Sequence, residues 1–311
     1  WSRHLAWSYY DGPPLLAYII RIVQTIFGTS PYVLKCIGVF CVALAAGVVY
    51  LLAARMFDQQ VALRALISFW LLPVVQATSI TTTLDAPLLL CWSLALYWGW
   101  RWLTEDKLYF LYLTALAMGL GLLAKYSMVL ILPSFFFFLL GATNRQHLLN
   151  PHLYIALGLA LLGFLPVIIW NAHHHWVSFA FQWHHGAAHQ GLHWDTFGLY
   201  WLGQLGAMNP IFLLLLIYGG CRLRLASLRA EQFLWWPCIC VFLFFAYNAL
   251  YQRSEVNWTL PASVSASILL AYYVGRFKWR WLWRAGVIFN IVVMLFLLFP
   301  RLSPWLPARA Q

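Results

Sequence analysis

The run Val33–Ala54, VLKCIGVFCVALAAGVVYLLAA, holds a single charged residue, Lys35, in 22 positions. As a helix rising about 1.5 Å per residue, it is long enough to cross a hydrocarbon core of roughly 30 Å. Comparable apolar runs recur at about residues 65–80, 87–103, 108–124, 126–142, 153–171, 197–219, 233–251, 259–275 and 285–300, some interrupted by Gly or by Pro73, Pro133 and Pro166. The expected fold is therefore all-α, a polytopic transmembrane helix bundle of ten spans. Composition points the same way. Of 311 residues, 63% are hydrophobic and 9% charged, with mean hydropathy +0.76, whereas a soluble domain carries about 25% charged residues. One transmembrane domain over 1–311 is expected, with no second soluble domain and no internal repeat.

The net charge is +11, but the Lys and Arg residues sit singly or in short groups between apolar runs. They form no basic face for nucleic acid and read instead as orientation signals. If the spans alternate in direction, one set of loops holds Arg55, Arg64, Arg101, Lys107, Arg145, Arg222, Arg224, Arg229, Arg276, Lys278, Arg280 and Arg284, twelve of the nineteen. That side is expected to be cytoplasmic. The other side then carries Asp11, Asp85, Asp195, Glu255 and eight of the ten histidines, so any chemistry faces out. The six cysteines fall almost entirely within apolar runs and read as small hydrophobes. The chain starts at Trp1, not Met, and is read as lacking a first transmembrane helix and the start of its first external loop.

Within the remaining external loop, residues 1–30, the stretch Tyr9-Tyr10-Asp11-Gly12-Pro13-Pro14 puts a carboxylate on a rigid turn. Two prolines withhold two backbone N–H groups and exclude helix, while Gly12 lets the chain turn beside the acid. The flanking segments, including Arg3 and His4 before it and Leu15–Arg21 after it, are amphipathic and suit a membrane interface. A plain structural turn is the alternative. Asp85, in TTTLDAP, stands at the mouth of two spans, where it either caps a helix or faces a cavity or partner. Lys125 interrupts an apolar run at an outer turn. It either snorkels or neutralises a phosphate, and Arg3, Arg21 and Arg253 could share that task.

The largest external loop, residues 171–196, contains seven histidines and Trp176, Trp183 and Trp194. Helical spacing would put His185, His189 and His193 on one face as a zinc arrangement. Interfacial polar residues and a substrate-binding loop are the other readings, with tryptophans anchoring at headgroup level or stacking on sugars. In the next external turn Glu255 and Asn257 follow Arg253 and could line a cleft opposite Asp11 and Asp85.

In their order along the chain, WSRHLAWSYYDGPPLLAYIIR, TTTLDAPLLL, GLLAKY, WNAHHHWVSFAFQ and EVNWTLPA resemble the membrane glycosyltransferases of family 39 and related type. That group includes lipid A aminoarabinose transferases and protein O-mannosyltransferases. The resemblance implies a GT-C fold and inverting transfer of a sugar from a polyprenyl phosphate, with undecaprenyl phosphate expected as carrier in a bacterial inner membrane. The acceptor would be a hydroxyl of a lipid, glycan or protein, on the external or periplasmic face. It implies that Asp11 and Asp85 serve catalysis by orienting the acceptor sugar or a cation, and that Lys125 with Arg3 or Arg253 serves the donor phosphate. Tyr10, His4, Trp176, His185, Glu255 and Asn257 are the expected substrate-loop residues. Where relatives have His or Lys after the acid, this chain has Gly12. The family's acidic pair, with its expected general base, would lie before Trp1, so the chain as written is expected to be inactive. No metal ligand set is assigned, and a divalent ion remains an optional cofactor. A secondary transporter and a non-catalytic lipid-carrier-binding protein are the rival readings. The transporter predicts polar residues in mid-span and repeat symmetry, whereas the acids Asp85 and Glu255 are placed at the outer ends of spans and no repeat is evident.

Overall fold

The computed structural model describes residues 1–186, 191–222 and 228–298. Helices follow one another with short connections, and no strand occurs among the described residues. After the turn at Pro13 and Pro14, α1 (Leu15–Phe27) leaves Ile22, Ile26 and Phe27 exposed and ends at Gly28, whose φ of 82° the missing Cβ permits. Helix α2 (Pro31–Met56) starts at Ser30, whose hydroxyl accepts the Tyr32 N–H, and has Pro31 at its first position. It is apolar on every side. Its buried face is rich in Ala, with Ala45, Ala46 and Ala53, which lets neighbours approach closely.

Helix α3 (Gln59–Trp70) is capped by Asp58, which accepts the Val61 N–H at 2.8 Å. It bends by 62° into α4 (Pro73–Ile80), because Pro73 cannot continue the helical hydrogen bonds. Helices α5 (Asp85–Glu105) and α6 (Leu108–Ala124) form an antiparallel pair. α5 also packs on α2, and α6 on α8 (Pro151–His173). A 3-10 turn, Tyr126–Leu130, precedes α7 (Ile131–Leu139), and α9 (Val177–Gly186) follows α8. Helices α10 (Trp194–Met208) and α11 (Pro210–Arg222) meet at 102°. Asn209 sits at the corner with φ 70°, and its amide binds Gly286 O and Asn290 Oδ1 while its oxygen caps α11. Helices α12 (Arg229–Ala249), α13 (Ala262–Arg276) and α14 (Arg280–Leu298) complete the bundle. α13 is buried along most of its length between α3 and α12.

Among the described residues, three helices can cross a membrane by length and composition: α2, α8 and α12. The number reaches five if each bent pair is one span. The count of ten is therefore not reproduced by this measure. Within the described residues, which end at 298 in the last expected segment, each expected segment is present as a helix, but several are short or broken. α6 has 17 residues, α13 has 15, and the segment from 126 is a 3-10 turn joined to the nine-residue α7. The 197–219 segment, read as one span, turns sharply because Pro210 forces Asn209 out of helical geometry. Residues 171–196 also differ from an open loop. α8 runs on to His173, α9 occupies 177–186, and α10 begins at Trp194.

The two ends of the bundle are chemically distinct. At one end Arg55, Arg101 and Lys107 surround Glu105, with Arg55 at 2.9 Å and Arg101 at 2.7 Å. At the other, Thr82 donates to Leu34 O, and α5 begins beside the end of α6. The second end holds the candidate site.

Candidate functional site

Asp85 is the first residue of α5, where the exposed N–H dipoles favour an anion, and Lys125 directly follows α6, where carbonyl dipoles favour a cation. Antiparallel packing of the two helices puts these ends side by side. The Lys125 ammonium donates to Asp85 Oδ1 at 2.7 Å. From 172 positions along the chain, the Asn257 amide donates to Asp85 Oδ2 at 2.8 Å. Asp85 is 4% exposed, so a carboxylate that burial alone would disfavour has a donor on each oxygen. The Lys125 side chain stays 21% exposed, which leaves ammonium protons for an incoming anion.

The N-terminal segment lies on this cluster. Tyr9 N–H donates to Gly12 O at 3.0 Å, closing the turn that carries Asp11. A Cβ on Gly12 would sit 3.0 Å from Leu84 Cδ1, so the turn packs tightly on the residue before Asp85. Ser8 lies 3.5 Å from the Tyr126 hydroxyl, which in turn meets Ser178 at 2.8 Å. Ser178 is held by the buried Asn171, whose side-chain oxygen accepts the Ser178 N–H and whose carbonyl accepts those of His174 and Trp176. His175 and Trp176, at φ 55° and 59°, make the left-handed turn between α8 and α9, a conformation that non-glycine residues adopt only when neighbours enforce it. α9 then reaches back: Gln182 donates to the Asp11 carbonyl at 2.9 Å, and Phe181 packs on Tyr10.

Of the expected site residues, the structure brings Asp85, Lys125 and Asn257 into one hydrogen-bonded group and joins Tyr10 and Asp11 to α9. The Asp11 carboxylate is exposed and enters no ion pair among the described residues. Arg253 is 80% exposed and only loosely paired with Glu255, at 3.7 Å. Arg3 and His4 are exposed in the first loop, and Trp176 stacks on Phe179; none of these touches the Asp85 group. Arg21 lies exposed on α1. His185 belongs to α9, but its side chain, like all of His189, lies outside the described residues. His193 precedes α10 in extended geometry. Among the described residues no three His, Cys, Asp or Glu side chains gather as a metal site. Sequence reading missed Ser8, Asn171, Ser178, Gln182 and Gln204. The signal of the first four was polarity at the edges of apolar runs, and that of Gln204 an amide inside one.

From the middle of the bundle toward the Glu105 end, the seam between α6, α7 and α8 opens into an apolar cavity of about 420 Å³ lined by Trp102, Leu111, Met118, Leu132, Leu148 and Leu157. A narrower void shares Met118, Leu132 and Leu157 with it and reaches Met128 and Val129, close to Lys125 in the chain.

The sequence matches the model of the dolichyl-phosphate-mannose-protein mannosyltransferase family over residues 11–170. The lipid A galacturonosyltransferase RgtD of Rhizobium johnstonii is 26% identical over 312 residues, covering 96% of this chain and 63% of that protein. In fold, the chain is similar to ArnT from Cupriavidus metallidurans bound to undecaprenyl phosphate, with TM-score 0.77 and 17% identity over 96% of this chain and 56% of ArnT. It is also similar to the oligosaccharyltransferase AglB from Archaeoglobus fulgidus in complex with an inhibitory peptide and a dolichol-phosphate. There the TM-score is 0.54 and the identity 16%, over 95% of this chain and 47% of AglB. The chain thus spans less than two thirds of these relatives. The family match takes in just over half of the sequence and runs through Asp11, Asp85 and Lys125, and on that ground the chain belongs to the dolichyl-phosphate-mannose-protein mannosyltransferase family.

Proposed function

We propose that this protein transfers a sugar from a polyprenyl phosphate to an acceptor hydroxyl at the external face of a membrane, with inversion at the anomeric carbon. The observation that carries the reading is a buried carboxylate holding a partly exposed ammonium at the end of a helix bundle. In this reaction the acceptor oxygen forms a bond to the anomeric carbon as the bond from that carbon to the phosphate oxygen breaks. The hydroxyl proton passes to a carboxylate base, and the lipid phosphate leaves with the bonding pair. An anionic leaving group needs a cation more than a proton donor. Lys125 supplies it, and Asp85, buried and doubly paired, acts as the fixed counter-ion that aims the ammonium. Asp11, exposed on its turn, orients the acceptor. Arg3 and Arg253 lie exposed at the outer surface, where they can meet the donor phosphate on its approach.

The carrier's isoprenoid chain is assigned to the α6–α7–α8 seam, whose apolar cavity shares Met118, Leu132 and Leu157 with the narrower void that reaches Met128 and Val129. The similarity to a lipid A galacturonosyltransferase, and to proteins solved with undecaprenyl phosphate or dolichol-phosphate, supports this donor class. It also supports placing the protein in a bacterial inner membrane with its site facing the periplasm.

Native mass spectrometry of the protein, extracted gently from its own membrane, tests the reading. The expected result is a polyprenyl-phosphate adduct, with any extra sugar mass separating pentose from hexose. Ordinary phospholipids alone, even after addition of a polyprenyl-phosphate sugar, would overturn it.

A further inference from the structure

Helix α10 carries one fully buried amide, Gln204, in an otherwise apolar stretch. In such surroundings an unpaired amide is strongly disfavoured, and both of its polar groups engage the same short segment. Its Oε1 accepts from the Thr259 hydroxyl at 2.7 Å, and its Nε2 donates to the Val256 carbonyl at 3.4 Å. Val256 O, at 3.2 Å, is the alternative acceptor for the same Thr259 hydroxyl. The segment is the 3-10 turn Val256–Thr259. α10 meets it so closely that a Cβ at Gly203 would lie 2.7 Å from Val256 Cγ2. Asn257 stands within the turn, and its amide is the donor to Asp85 Oδ2. A continuous set of contacts therefore runs from the helix after the external segment, through a clamped turn, to the carboxylate that holds Lys125.

We propose that Gln204 and Asn257 are positioning residues that set where the Lys125 ammonium points, Gln204 by fixing the Val256–Thr259 turn and Asn257 by holding the second oxygen of Asp85. An apolar residue at 204 could fill the same space, but it would leave the turn free to slide along α10. Without Asn257 the Asp85 carboxylate can rotate, and the ammonium follows it. The chemical consequence rests on the glycosyl-transfer reading above. As the bond to the sugar breaks, the carrier phosphate passes from a diester with one negative charge toward a monoester with more, so a well-aimed ammonium gains importance in the transition state. Misaiming it lowers kcat and leaves donor KM nearly unchanged.

The test uses the full-length protein in detergent or nanodiscs. Asn257→Asp keeps the shape and replaces the donor by an acceptor. Its kcat with a polyprenyl-phosphate-sugar donor is expected to fall about 10- to 100-fold, with donor KM near the parent value. Gln204→Leu should give a smaller fall, and Gln204→Leu/Asn257→Ala should be no slower than Asn257→Ala, since the two act in series. A second readout does not depend on transfer. Brief acylation of Lys125 with acetic anhydride, followed by peptide mass spectrometry, should show higher labelling in Gln204→Leu and Asn257→Ala than in the parent. Unchanged labelling, losses that add in the double variant, or a rise in KM at constant kcat would overturn the proposal. If labelling rises but the parent transfers no sugar from any polyprenyl-phosphate donor, the functional reading fails while the positioning geometry stands.

Discussion

Exchanging Lys125 for Met isolates the energetics of the central ion pair. The substitution keeps the aliphatic bulk and removes the ammonium that sits 2.7 Å from Asp85 Oδ1. Asp85, at 4% exposure, then retains the Asn257 amide as its side-chain partner among the described residues. Breaking a buried pair from one side is destabilising by about 3–5 kcal/mol, because the remaining charge is left uncompensated. Asp85→Asn is milder. It leaves a neutral group, and the 21% exposed Lys125 can turn toward solvent, so about 1–3 kcal/mol is expected. The double variant removes both charges and should recover much of the loss, to within about 1–2 kcal/mol of the parent, which makes the two single effects strongly non-additive. Thermal unfolding in detergent, followed by intrinsic tryptophan fluorescence, ranks the four proteins. The expected order of apparent Tm is parent, double variant, Asp85→Asn and Lys125→Met. Activity should separate from stability, since the double variant regains Tm but not sugar transfer. A Lys125→Met protein as stable as the parent, or single losses that simply sum, would refute the paired-burial reasoning.

Tyr126→Phe removes the hydroxyl between Ser8 and Ser178; a loss of about 1 kcal/mol is expected, and hydrogen exchange should show faster opening of residues 1–14 than of α2. Ala115→Phe fills part of the apolar seam; KM for a long-chain polyprenyl donor should rise about tenfold, a change of about 1.4 kcal/mol, while a short-chain donor analogue is unaffected. Burial beside Trp102, then the Arg229 charge, lowers the pKa of His147 from its ordinary value. The folded protein thus binds this proton less readily than the unfolded chain, so stability rises with pH through the window below about 6.5 and levels off above it. His147→Gln should therefore lose less Tm than the parent on going from about pH 7 to pH 5.

The sequence by itself determined the class of fold, because long apolar runs in so poorly charged a chain can satisfy their backbone only as helices. It also marked Asp85 and Lys125 as candidates, since a charge beside hydrocarbon is costly without a partner. The helix starts carried local signals that the apolar runs alone did not use. Ser30-Pro31, Asp58 and Asn150-Pro151 are capping signals that depend on a few adjacent residues. The break at Asn209-Pro210 carried a local signal as well, yet the apolar pattern on both sides concealed a 102° corner. Only the tertiary structure decided that Asp85 and Lys125 are each other's partners and that Asn257 is the third member, joined across 40 and 172 positions. It also decided that Arg253 stays outside the group and that the loop bearing Asp11 rests on Leu84 and α9. Periodicity and capping act over one or two helical turns and leave a local imprint. The choice among several polar residues at the same end of a bundle is made by helix packing, which fixes distances between segments remote in the chain.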